Sequence, residues 1–241
     1  MKNTLRISVV ILIIILIQSC KKEVDNLIKD SDGNVYTSVT IGTQVWMVEN
    51  LKTTKYSNGD LIGTTAPATL DITSENIPRY QWAYGGNENN VNTYGRLYTW
   101  YAVIDSRNVC PTGWHVPTDA EWTILTDYLT NNGYGYQGSG SDIGKSMAAT
   151  SGWRVDPTAG NVGNDQASNN SSGFTALPGG SRWSNGTFHY IGDDGYWFTS
   201  TELPVGYAWG RFMNFYSNSV NRRSGAIGGG GSGDTVRCLR D

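Results

Sequence analysis

Three cysteines set the tightest limit on how this chain can fold. Cys20 closes an N-terminal leader, so only Cys110 and Cys238 are left to form a bridge inside the folded body. If they pair, the last residues are tied to the middle of the chain. The loop so closed is long, and the chain-entropy model gives roughly 4–5 kcal/mol for such a closure. The alternative is two buried free thiols. An oxidising compartment favours the pair, and the leader points to one. Lys2 and Arg6 precede an apolar run from Ile7 to Ile17, which ends in Gln18-Ser19-Cys20. A positive start, a short apolar core and a small residue before the cut describe a secretory signal. The run is too short to span a bilayer, which takes about 20 apolar residues. A cysteine directly after Ser19 predicts lipoprotein processing, with residues 1–19 removed and Cys20 acylated. The other reading is an ordinary cleaved signal with an incidental cysteine.

Removing the leader takes away Lys2 and Arg6 and no acid, so the net charge moves from −3 to −5. An acidic surface argues against nucleic acid as a partner, because phosphate binding needs clustered cations. Attachment to the membrane then rests on the N-terminal lipid, whose several acyl chains hold far better than one. The expected location is the cell envelope, anchored to the outer membrane. Lys21-Lys22-Glu23 after the cysteine points weakly to its outer face. The chain holds 30 Gly, 9 Trp, 14 Tyr and 5 Phe against 16% charged residues. Turns with positive φ and large flat side chains suit a loop-rich, mostly β domain rather than a helical bundle.

Residues 20–33 are polar without a usable period and read as a tether, leaving 34–241 as one domain with no internal repeat. Val35–Ile41 and Gln44–Leu51 flank Gly42-Thr43 and predict a β-hairpin. Leu97, Tyr101 and Ile104 fall at helical spacing within Tyr94–Ile104, which predicts a helix. Thr118 and Glu121 make a capping box ahead of Trp122, Leu125 and Leu129, a single apolar stripe ending near Asn131-Asn132-Gly133. Short strands are expected at Phe174–Leu177, Ser181–Trp183, Thr187–Ile191, Tyr196–Ser200, Ala208–Phe215 and Thr235–Leu239. Two helices on small antiparallel sheets with long structured loops make an α+β domain. Trp46, Trp100, Trp114 and Trp122 read as core, and His115 as a packed imidazole.

Six stretches carry a resemblance: IGTQVWMVENL (41–51), TYGRLYTWYAV (93–103), VCPTGWHVPTDAEW (109–122), SGFTALPGGSRW (172–183), GYWFTSTE (195–202) and TVRCLRD (235–241). In this order they resemble the Fibrobacter succinogenes major paralogous domain family of Bacteroidetes-type lipoproteins. The resemblance implies a C-type-lectin-like fold, related to formylglycine-generating enzymes and to the variable proteins of diversity-generating retroelements. It also aligns Cys110 and Cys238 with the family's cysteines. This chain lacks the further cysteine that some members carry before the YGRLY motif. Its glycine run at 228–233 departs from the family's usual polar stretch.

Chemistry-bearing patterns are sparse. His115 and His189 fall in unrelated motifs, no nucleophile elbow is present, and thiolate metal sites lack their cysteines. The enzymes of the related branch use a cysteine pair near the C-terminus, whereas Cys238 stands alone there. Asp193-Asp194-Gly195 reads as a solvated turn, since calcium takes 6–8 oxygens and one acidic pair falls short. No metal and no cofactor are expected. The segment Tyr207–Gly233 is the candidate contact surface, because Tyr, Trp, Asn, Ser and Arg are the residues of binding loops. Its candidate ligand residues are Tyr207, Trp209, Arg211, Asn214, Tyr216, Asn218, Asn221, Arg222 and Arg223. The arginines would reach carboxylates or sulfates bidentately. The competing reading makes Trp209, Phe212 and Phe215 sheet core. The expected role is non-catalytic recognition of an extracellular glycan or protein. The alternatives are an enzyme of the formylglycine-generating or glycan-active type, and a structural envelope subunit.

Overall fold

A computed structural model describes residues 27–138, 140–204, 206–226 and 231–241. The leader, Cys20, the first half of the tether (to residue 26) and the glycines at 228–230 lie outside the described residues. In chain order come β1 (Ile28–Lys29), β2 (Val35–Tyr36), β3 (Ser38–Ile41), β4 (Gln44–Met47), β5 (Gln81–Trp82), α1 (Val91–Tyr94) and β6 (Leu97–Thr99). There follow α2 (Trp100–Val103), β7 (Trp114–His115), α3 (Asp119–Asn131), α4 (Gly144–Met147), β8 (Gly179–Arg182) and β9 (Phe188–Ile191). The last elements are β10 (Asp194–Leu203), β11 (Tyr207–Asn214), β12 (Asn221–Ala226), β13 (Gly233–Asp234) and β14 (Leu239–Arg240). Strands outweigh helices, and α3 is the one helix among the described residues longer than a single α-turn.

Apart from the small β1–β2 pair, the strands form three sheets, ordered β3-β4-β14-β7, β5-β6-β13-β8-β9 and β10-β11-β12. The C-terminal segment is therefore internal to two of them. β13 lies between β6 and β8, and β14 between β4 and β7. The Cys110–Cys238 disulfide is formed, with 6.0 Å between the Cα atoms. It joins the approach to β7 to the residue just before β14 and lies in the core.

The hairpin forms as expected, with Val39 opposite Trp46. Gly42 turns it with a φ of 60° while a Tyr128 ring atom sits 2.8 Å from where a Cβ would stand. The capping box is complete: Thr118 Oγ1 accepts the Glu121 amide at 3.2 Å and Glu121 Oε2 accepts the Thr118 amide at 2.7 Å. α3 buries Trp122, Leu125 and Leu129 along one stripe. Trp122 lies 4.9 Å from Trp46 and 5.5 Å from Phe174, centroid to centroid. All four tryptophans expected in the core are buried. Replacing Thr118 with Ala removes the cap and should cost about 1 kcal/mol, read as a lower midpoint in thermal unfolding followed by circular dichroism.

Three expectations are corrected. Tyr94–Ile104 is not one helix, because Leu97–Thr99 is a strand buried along its whole length and only Trp100–Val103 turns helically. Its period misleads because Leu97–Thr99, buried on both faces, carries no polar face to set the phase. Phe174–Leu177 is no strand and makes a single bridge, Ala176 with Ala148. Thr235–Leu239 is not one strand: Thr235 makes a single bridge with Trp197, 236–238 run irregularly, and Leu239 opens β14. Its carbonyls still bond the first half of the chain, with Leu51 N donating to Val236 O and Met47 N to Cys238 O.

Candidate recognition surface

Antiparallel pairing sets Trp209 opposite Ser224 and Arg211 opposite Arg222. Successive side chains of a strand point to opposite faces, so Tyr207, Trp209, Arg211 and Arg222 share one face of the β10-β11-β12 sheet. That face meets the start of α3. Asp119, the first residue of α3, is gripped from two sides. Arg211 Nη1 donates to its Oδ1 at 2.6 Å; Arg222 donates from Nε to Oδ1 at 3.0 Å and from Nη2 to Oδ2 at 2.6 Å. Arg211 Nη2 also donates to the Asp119 carbonyl at 3.1 Å and to Thr123 Oγ1 at 3.2 Å. Burial pushes the Asp119 carboxyl up, but the hydrogen bonds from Arg222 and Arg211 outweigh it and hold the group below the usual range. A carboxylate at a helix start is further favoured by the helix dipole.

Arg211 is 2% exposed, so the structure gives it an internal partner and no path to solvent. Arg222 is half exposed, and its guanidinium carbon stands 3.5 Å from the centre of a Trp209 ring. Tyr207, 46% exposed, lies two residues along the same strand face. These three side chains share an amphipathic face, of which Arg222 is held by α3.

The remaining candidates lie elsewhere. Asn214 is buried, and its Oδ1 has no hydrogen-bond partner among the described residues. Tyr216 is exposed in the turn after β11, its ring edge-on to Phe215 at 5.0 Å. Asn218 accepts the Gly144 amide through its carbonyl at 2.8 Å, which ties that turn to α4. Asn221 and Arg223 belong to the opposite sheet face, paired with Phe212 and Gly210. Arg223 donates to Asp234 and lies 4.6 Å over the Tyr196 ring. Phe212 and Phe215 are each half-buried, which sits between the two sequence readings.

His115 is a second departure from expectation. It is half exposed rather than packed, with Nδ1 2.7 Å from Asp241 Oδ1 and Nε2 3.0 Å from Glu121 Oε1. It borders a shallow cavity of about 440 Å³ that Val103, Asp105 and Ser200 also line. The Asp193–Asp194 pair is divided: Gly192-Asp193 makes the turn between β9 and β10, while Asp194 opens β10 and is not solvated. Asp194 is buried and accepts the Tyr196 hydroxyl at 2.7 Å, whereas Asp193 pairs with Arg154 Nε at 2.9 Å. Burial raises the Asp194 carboxyl. The two carboxylates thus serve different partners. The only sequence signal for the Asp119 clamp is an acid one residue after a cap; its partners lie 92 and 103 residues away.

A family model, the Fibrobacter succinogenes major domain, matches residues 39–240. The chain belongs to this family. No curated protein and no solved structure matches it. The matched Fibrobacter succinogenes major domain runs from β3 into β14, so it takes in both cysteines of the disulfide, the Asp119 clamp and the Trp209 face.

Proposed function

We propose that this member of the family is a non-catalytic binding module of C-type-lectin-like fold. In this reading it is tethered through lipidated Cys20 to the outer membrane and recognises an extracellular glycan or protein. The observation that carries the reading is the Trp209–Arg222 stack. An aromatic face and a guanidinium are held ready by Asp119 beside exposed Tyr207. Side chains already fixed lose little entropy when a ligand arrives, which is where preorganised sites gain affinity. Cys110 and Cys238 are bonded to each other, so neither offers a thiol of the kind the related enzymes employ.

The test is binding of the soluble 21–241 form to a glycan array and to proteins of the cell surface. Trp209→Ala and Tyr207→Ala should each weaken retention at least tenfold with unchanged circular dichroism. Undiminished binding in both variants would move recognition off this face.

A further inference from the structure

We propose a second contact surface, on the opposite face of the β10-β11-β12 sheet, that takes a neutral oligosaccharide. Five rings follow one another there. Trp183 stands 4.0 Å from His189, His189 5.5 Å from Tyr190, Tyr190 6.5 Å from Tyr196, and Tyr196 4.9 Å from Phe212, centroid to centroid. Tyr196 and Phe212 are stacked at 24°, Trp183 and His189 tilted by 31°. The string crosses from the tip of the β8–β9 hairpin onto β10 and β11. Trp183 and Tyr190 are each 42% exposed, and the other three rings are partly exposed.

The hairpin that presents the outer rings is braced. Arg182, fully buried, donates to the carbonyls of Ala68 (3.0 Å) and Leu70, and its guanidinium lies 4.0 Å over Trp82. The Ile72 amide donates to Ser184 O at 2.8 Å. At Gly186 a Cβ would stand 1.9 Å from the Thr69 carbonyl oxygen, so the tip is pressed against the 66–72 segment. Tyr190 has a φ of 68°, a conformation that a bulky residue adopts only when its surroundings force it. That strain sets its ring between His189 and Tyr196.

Charge decides the ligand class. Arg223 beside Tyr196 is neutralised by Asp234, and Asp194 accepts the Tyr196 hydroxyl. The exposed tip adds polar groups: the Thr187 hydroxyl donates to Asn185 Oδ1 at 2.7 Å and lies 2.7 Å from His189 Nε2. A row of aromatic rings, each inclined to the next by 24–49° and edged by hydrogen-bonding groups, fits a ligand that is apolar on its faces and hydroxylated at its rim. A pyranose chain has that character. A charged polymer finds no unpaired counter-charge among these groups, and a helical peptide finds no aliphatic pocket for its anchors.

This surface is separate from the Trp209 face, because Trp209 and Phe212 occupy strand positions of opposite parity in β11. The test is affinity electrophoresis of the full chain in mild detergent through gels holding soluble β-glucan, xylan, mannan, alginate or no polymer. Tryptophan fluorescence with a proline-rich peptide forms a parallel arm. At least one neutral polysaccharide should retard the protein. Trp183→Ala and Tyr190→Ala should each reduce that retardation constant at least tenfold at an unchanged melting midpoint, while Leu61→Ala, exposed and outside both surfaces, leaves it unaltered. No retardation by any neutral polymer, retardation by alginate alone, equal retardation of the Trp183 variant, or binding confined to the peptide would overturn the proposal. If Trp183→Ala lowers the midpoint, Trp183→Phe keeps the test open. Retained binding with Phe and loss with Ala supports a stacking platform, and loss with both at a normal Phe midpoint counts against it.

Discussion

Replacing Cys110 and Cys238 together with alanine should lower the free energy of unfolding by about 4–5 kcal/mol. The two residues are 128 apart in sequence, so the bridge removes a long loop's worth of freedom from the unfolded chain. The effect is sharpened by topology. β13 and β14 complete two different sheets, and both belong to the last few residues beside the bridge. Without the bond, their ordering rests on short ladders such as the single Leu239–Trp46 pairing. Urea denaturation of the oxidised protein against the double variant measures the difference. Alanine avoids burying a new hydroxyl in the core, where both sulfurs are shielded. A loss below about 1 kcal/mol would mean that sheet pairing alone holds the carboxyl end, outside the range the loop-closure model gives.

What could be read from the sequence follows how local the deciding contact is. The α3 cap is written in four consecutive residues, Thr118 to Glu121, and the hairpin in the alternation on either side of Gly42. Both formed as expected. The bridge was also legible, because few cysteines leave few choices. By contrast, β12 reads as Asn-Arg-Arg-Ser-Gly-Ala, with no alternation and no β-branched residue. It is a strand because β11 offers it a ladder, and it tolerates polar residues on both faces because it is the edge of its sheet. The 97–104 stretch misleads for the opposite reason: Leu97–Thr99 is buried on both faces and shows no alternation to mark it as a strand.

The candidate surface was legible in outline and not in orientation. Composition singles out a segment rich in Tyr, Trp, Asn and Arg, but composition does not say which face a residue occupies. Register does, and it turns on pairings such as Arg211 with Arg222 that no local pattern displays. Hence Arg211 lies inside and Arg222 is half exposed, though both were read alike. The ring string from Trp183 to Phe212 has no local signature because its members come from three strands, β9, β10 and β11, and from the turn after β8. The one local hint was Phe188-His189-Tyr190-Ile191, four bulky residues in a row at an exposed hairpin.

Asp119 is where fold and surface depend on one carboxylate, and Asp119→Ala should cost about 3–5 kcal/mol. The larger part comes from Arg211, which would stay buried with its charge uncompensated. Asp119→Ala combined with Arg211→Met removes the stranded charge and should recover most of the loss, whereas the single Arg211→Met should not mimic it. The pH dependence has a definite sign. The folded-state pKa of Asp119 lies below its ordinary value of 3.8, so its stabilisation is present above that value and is lost as pH falls through the folded-state pKa. Asp194 and Asp234 act oppositely, since burial raises both and protonating them in the folded state relieves a cost. The informative measurement is therefore the stability of wild type minus that of Asp119→Asn, which should be flat near neutrality and shrink below about pH 4. Recognition should follow the same group. With Asp119 gone, Arg222 keeps its contact with Trp209 but loses both hydrogen bonds that fix its plane. Ligand affinity at the Trp209 face should then fall even in the Arg211→Met background where folding is restored. A rescued protein that binds at wild-type strength would show that the clamp serves stability alone.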